Sequence, residues 1–177
     1  MTKDEAARLA ESTGFSHWGF FPADGLCFRQ EVRDMCKADL CNKYDHSWSC
    51  PPACGTLEDS RAKAKEYSWG ILLQTTAELE DEYDGEAMME ASDLQKERFM
   101  AFCEALAGRE EMLPMGAGGC TICETCSYPD APCRFPEKMT SSMEAYGLVV
   151  SEVCQLAETP YYYGPLTLTY SSCVLFK

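Results

Sequence analysis

Trp69-Gly70-Ile71-Leu72-Leu73-Gln74-Thr75-Thr76 is a short apolar run of β-compatible residues, long enough for a buried strand and too short for an independent helix. It reads as the centre of a sheet. On its N-terminal side, Thr56-Leu57-Glu58-Asp59 places a capping threonine before two acids that favour the positive end of a helix dipole. That predicts a helix running to about Tyr67. On its C-terminal side, Met88, Ala91, Phe99, Phe102, Cys103 and Leu106 recur at helical spacing between Glu86 and Ala107, and Gly108 ends the pattern. This is the longest helix expected.

Further out the alternation continues. Thr2 with Glu5 has the form of a capping box opening a helix through Ala6, Leu9 and Ala10, with Gly14 as its stop. His17 to Phe21 reads as a strand, Pro22 to Gly25 as a turn, and Gln30 to Met35 as a short helix leading to Cys36. Met112 to Gly116 reads as a strand. Ser141 with Glu144 has the form of another cap and predicts a short helix stopped by Gly147, followed by a helix over Ser151 to Glu158. Leu166 to Phe176 has strong strand propensity. The expectation is an α/β fold, a single mixed sheet flanked by helices, forming one domain over residues 1–177.

The chemistry lies in the cysteines, of which there are twelve. Cys120, Cys123 and Cys126 follow Gly118-Gly119, and Cys133 comes after them. Three thiolates in so short a loop suit a cubane iron–sulfur cluster, where each sulfur reaches a different iron. Cys36, Cys41, Cys50 and Cys54 form an upstream group with no standard spacing, and its weight comes from the company of the first. Zinc also accepts four cysteines, more usually as two separated pairs, and stays open as the alternative metal. A disulfide framework fits less well. Cysteine-stapled domains are usually short, whereas 46% hydrophobic content over 177 residues can fill a core, and Met1 to Arg8 has mixed charges with no apolar leader. Cys27, Cys103, Cys154 and Cys173 stand singly among apolar residues and read as buried small hydrophobes.

Acidic residues outnumber basic ones 29 to 15, which argues against nucleic-acid binding because phosphate contacts need Lys and Arg. An acidic surface would instead steer the chain toward a basic redox protein partner. No apolar segment approaches the roughly 20 residues of a membrane helix, so a cytoplasmic protein with no membrane partner is expected. Phosphate-loop, dinucleotide and nucleophile-elbow motifs are absent. Nothing in the sequence specifies an oligomeric state.

Taken as a set, the motifs resemble a bacterial and archaeal family of predicted metal-binding proteins of unknown function. They are Cys36 with Cys41, Cys50-Pro51-Pro52, Gly118-Gly119-Cys120 with Cys123 and Cys126, Cys133-Arg134-Phe135-Pro136, and Met143-Glu144-Ala145-Tyr146-Gly147. The resemblance spans roughly residues 17 to 176 and implies metal binding, with no reaction or substrate attached.

Two roles follow for an iron–sulfur protein. If each group supplies four thiolates, two saturated [4Fe-4S]-type clusters suit electron transfer. If Cys54 is not a ligand, an open iron coordination position would suit an enzyme acting on a small molecule. The third role is a zinc-stabilised binding module. Arg134 is a candidate for hydrogen bonding to a cluster sulfide. His46 lies between Cys41 and Cys50 as a further candidate ligand, while Tyr44 and Trp48 are placed to shield the upstream group.

Overall fold

A computed structural model describes all residues, 1–177. The elements are α1 (Lys3–Ser12), β1 (His17–Pro22), a 3-10 turn at Ala23–Gly25, α2 (Gln30–Cys36), α3 (Leu57–Ala64), β2 (Trp69–Glu78), α4 (Gly85–Leu106), β3 (Met112–Gly116), β4 (Ser141–Ser142), α5 (Val150–Leu156) and β5 (Thr167–Phe176). The fold is α/β, with one five-stranded sheet in the order β1-β2-β5-β3-β4. β2 runs antiparallel to β1 and β5, and β3 runs antiparallel to β5 but parallel to β4, so the sheet is mixed.

The apolar run that opens β2 is explained by burial on both faces. Leu72, with Cys173 and Leu175 of β5, packs into one core that also takes Ala64 of α3, Met143, Leu148 and Val153 of α5. Ile71 and Leu73, with Val174 and Phe176 of β5, pack on the other face against Ala6 and Ala10 of α1 and Phe99, Phe102 and Leu106 of α4. The alternation of strand side chains thus feeds two helix layers from one sheet.

The expected capping box forms at Thr2 with Glu5, and the capping threonine expected at Thr56 forms a full box with Asp59. Three expectations need correction. The middle strand is β5, which pairs on both sides, and β2 lies one place away from it. α3 stops at Ala64, because the Glu66 and Tyr67 amides bond the Lys63 and Ala64 carbonyls in a tighter final turn that releases the chain into β2. No helix forms at Ser141. Ser141 and Ser142 instead pair in parallel with Met115 and Gly116, and the following residues make turns that end at Gly147, whose φ of 83° suits glycine. The Ser142 hydroxyl accepts from the Ala145 N–H, so the serine closes a turn in place of a helix start.

Candidate metal centre

The upstream cysteines occupy the long connection between α2 and α3, and the downstream ones the connection between β3 and β4, with Cys36 as the last residue of α2. β4 is an edge strand beside β3, so both loops gather at that edge of the sheet. Cys120, Cys123, Cys126 and Cys133 all line one narrow cavity of about 20 Å³, together with Ser47, Trp48 and Arg134. Cys36, Cys41 and Cys50 line a wider cavity of about 290 Å³ with Tyr44, Gly118, Gly119 and Glu144. The two groups expected from spacing are therefore brought together, with one exception. Cys54 lines a third cavity, shared with Cys133, and its thiol lies 4.0 Å from the Ala145 carbonyl.

A four-residue strap, Ser47 to Cys50, joins the groups. Ser47 and Ser49 are buried and their hydroxyls lie 3.0 Å apart. The Ser49 hydroxyl accepts from the Cys120 N–H at 3.1 Å and lies 3.7 Å from the Cys50 sulfur. Gly119 lies beside the strap, where a β-carbon would stand in ordinary contact with the same sulfur at 3.6 Å. The strap serves Cys126 as well. Burial pushes the Cys126 thiol up, but the Trp48, Tyr128 and Ser127 amides and the Ser47 hydroxyl together outweigh it and hold the pKa below its ordinary value. Trp48 itself belongs to the downstream group, a correction to the expectation that it shields the upstream one. Its indole N–H donates to the Ala131 carbonyl and its ring meets Tyr128 edge-on, because the chain turns toward residues 120–133 after His46.

Cys126 is the exception, since burial raises Cys120 in the same downstream group and dominates at the upstream thiols as well. Burial raises the Cys36 pKa, and the neighbouring Cys41 thiol and Glu144 carboxylate raise it further. Burial likewise raises Cys50 and Cys54. Against these stands Arg33, a buried side chain on α2 that donates to the Ala145 carbonyl at 2.7 Å and to the Gly55 carbonyl. Its guanidinium forms no ion pair with any carboxylate and acts to lower both Cys36 and Cys54. Arg33 also acts through space on Asp59, but a buried cation with no directly paired carboxylate is costly unless negative charge develops beside it.

Other candidates fall elsewhere. Arg134 donates to the Thr125 carbonyl at 2.8 Å, bracing the loop between Cys123 and Cys133 while lining the downstream cavity. His46 is exposed and lines neither cysteine cavity. Cys154 and Cys173 are buried as expected and Cys103 is partly buried against the α4 core, whereas Cys27 is exposed. Cys27 follows buried Leu26 in extended backbone, and its side chain falls on the solvent side. Arg33, Ser47 and Ser49 were not singled out from the sequence, where an arginine between acids and two serines in a polar loop look like ordinary surface.

No three cysteine, histidine or acidic side chains converge closely enough to hold a single ion. The donor set is nonetheless thiol-rich in both cavities, and the unpaired Arg33 charge fits an anionic thiolate centre. No helix is long and apolar enough to cross a membrane. No curated protein and no solved structure matches the chain. The family model described as predicted metal-binding protein (DUF2284) matches residues 20–176, and the chain belongs to that family.

Proposed function

We propose that this protein carries two iron–sulfur clusters of the [4Fe-4S] type and serves in electron transfer with a separate redox protein. The observation that carries this reading is the Ser47–Cys50 strap, which sets two thiol groups side by side at one sheet edge through Ser49. Such clusters, when bound, supply one-electron redox chemistry. Cys120, Cys123, Cys126 and Cys133 would hold one, and Cys36, Cys41 and Cys50 with Cys54 the other. Zinc draws all its sulfurs to about 2.3 Å of one ion, while a cubane keeps each thiolate on its own iron, and the close spacing of Cys120, Cys123 and Cys126 suits the second arrangement.

The protein residues set the environment. Amide and hydroxyl donors around Cys126 stabilise negative charge on its sulfur, and Arg33 does so at Cys36 and Cys54. The downstream cavity is narrow, so loading requires residues 120–133 to part. Those residues form no helix or strand, and metal binding would be coupled to their rearrangement. Beside the upstream thiols, Met35 and Leu40 are 74% and 93% exposed, an apolar rim suited to a docking partner.

One observation favours a second reading. Cys54 lines a different cavity from Cys36, Cys41 and Cys50, so a three-thiolate upstream site with an open position would make the protein an enzyme on a small molecule. Electron paramagnetic resonance of the reduced protein separates the cases. Two adjacent saturated centres predict broadened, mutually coupled signals that cyanide leaves unchanged. An open iron predicts a signal that shifts when cyanide is added, and absence of any paramagnetic signal on reduction would sink both readings.

A further inference from the structure

A third cavity, of about 450 Å³, opens between the two cysteine groups, with Cys54 on one wall and Cys133 on another. Its size falls within the range of small-molecule sites. Leu113, Pro114 and Met139 give it apolar surface, and Trp48 adds a flat aromatic ring beside the pyrrolidine rings of Pro132 and Pro136. Two polar side chains line it without hydrogen-bond or ion-pair partners in the protein. Lys63 forms no ion pair, and the Tyr146 hydroxyl, on a largely buried ring, makes no hydrogen bond within the protein.

The charge of the lining runs against that of the molecule. Carboxylates outnumber cations 29 to 15 along the chain, yet no Asp or Glu lines this cavity, and Lys63 is its one cationic side chain. Lys63 acts through space on Asp59 and Cys54, but no carboxylate pairs with it, which leaves its ammonium open to a ligand. The phenol of Tyr146 supplies a second donor, and the ring-rich walls suit a planar apolar body.

We infer that this cavity binds a small carboxylate-bearing molecule with a planar apolar body, its carboxylate on Lys63 and Tyr146 and its body between the proline and tryptophan rings. Phosphates are less well served, because two donors leave most of a phosphate's oxygens unsatisfied. The site holds whichever metal the thiols bind, so its failure and the failure of the electron-transfer reading are separate results. A ligand there would touch Cys54 and Cys133, one cysteine from each group.

The test uses the full chain purified anaerobically with its metal, titrated calorimetrically with benzoate and with benzamide, its neutral counterpart of like shape. Benzoate is expected to bind about tenfold more tightly, the scale of one charged hydrogen bond. Lys63→Gln should abolish that preference with metal content unchanged, and Tyr146→Phe should reduce it. Lys65→Gln, on a side chain outside the cavity, should leave it intact. Equal binding of the two probes, no binding of benzoate, or a preference that survives Lys63→Gln would each overturn the inference.

Discussion

The Ser49 hydroxyl accepts a hydrogen bond from the backbone N–H of Cys120 at 3.1 Å, across 71 positions of sequence. One fully buried side chain thereby helps to set the spacing of the two cysteine loops, which the Trp48 indole on the Ala131 carbonyl and the Tyr128 hydroxyl on Asp45 also join. Replacing Ser49 by Ala would leave the Cys120 amide without this partner in a part-buried setting. Stability should fall by about 1–3 kcal/mol in denaturant titration, with faster metal loss to a chelator. An unchanged midpoint and unchanged release rate would remove Ser49 from its linking role.

Arg33 gives the upstream group its counter-charge and ties α2 to the Gly55 and Ala145 carbonyls. Arg33→Met should keep much of the packing but lose both the charge and the two bonds. We expect a loss of about 2–4 kcal/mol and release of upstream metal before downstream metal. Equal loss from both sites would mean that Arg33 supports the fold alone.

The cysteines should divide cleanly. Cys123→Ser is expected to remove the downstream metal and leave the upstream metal in place, as read by metal content per chain. Loss of all metal, or of none, would contradict two separate sites. Cys173 is fully buried among Met115, Leu148 and Leu175, and burial pushes the Cys103 thiol up to about 12, so neither is placed or poised as a ligand. Cys103→Ser and Cys173→Ser should retain full metal. Cys173→Ser should still lower stability by about 1–3 kcal/mol, because it buries a hydroxyl.

His17 stacks on Tyr163 with ring centroids 4.1 Å apart, and burial holds its pKa below the ordinary 6.5. The unfolded chain therefore takes up this proton more readily than the folded one. Stability contributed by neutral His17 is present above about pH 6.5 and declines as pH falls through that value toward the lower folded pKa. The effect is shallow because the ring is partly solvated. His17→Phe should flatten the stability profile between pH 7 and 5 relative to the parent, and an identical slope in both proteins would contradict the assignment.

What the sequence disclosed, and what it withheld, has a physical pattern. The caps at Thr2 and Thr56 and the long α4 periodicity are local devices, and each formed where expected. Ser141 with Glu144 looks the same locally, but pairing of Ser141 and Ser142 with β3 overrides it. β2 is the most apolar run, yet β5 sits in the middle, since strand order depends on pairings between segments distant in sequence. Spacing marked both thiol groups. The serine strap and Arg33 were invisible because their partners, Cys120 and Ala145, lie far along the chain. Cys54 shows the same limit: proximity to Cys50 in sequence did not place it in the same cavity.

The account turns on iron held by two thiol groups, and the most direct measurement is iron, acid-labile sulfide and zinc per chain on anaerobically purified protein. Two cubanes predict about eight irons and about eight sulfides in a brown protein. A colourless protein containing zinc and no sulfide, kept from oxygen throughout, would contradict the electron-transfer account and leave a zinc-stabilised binding module.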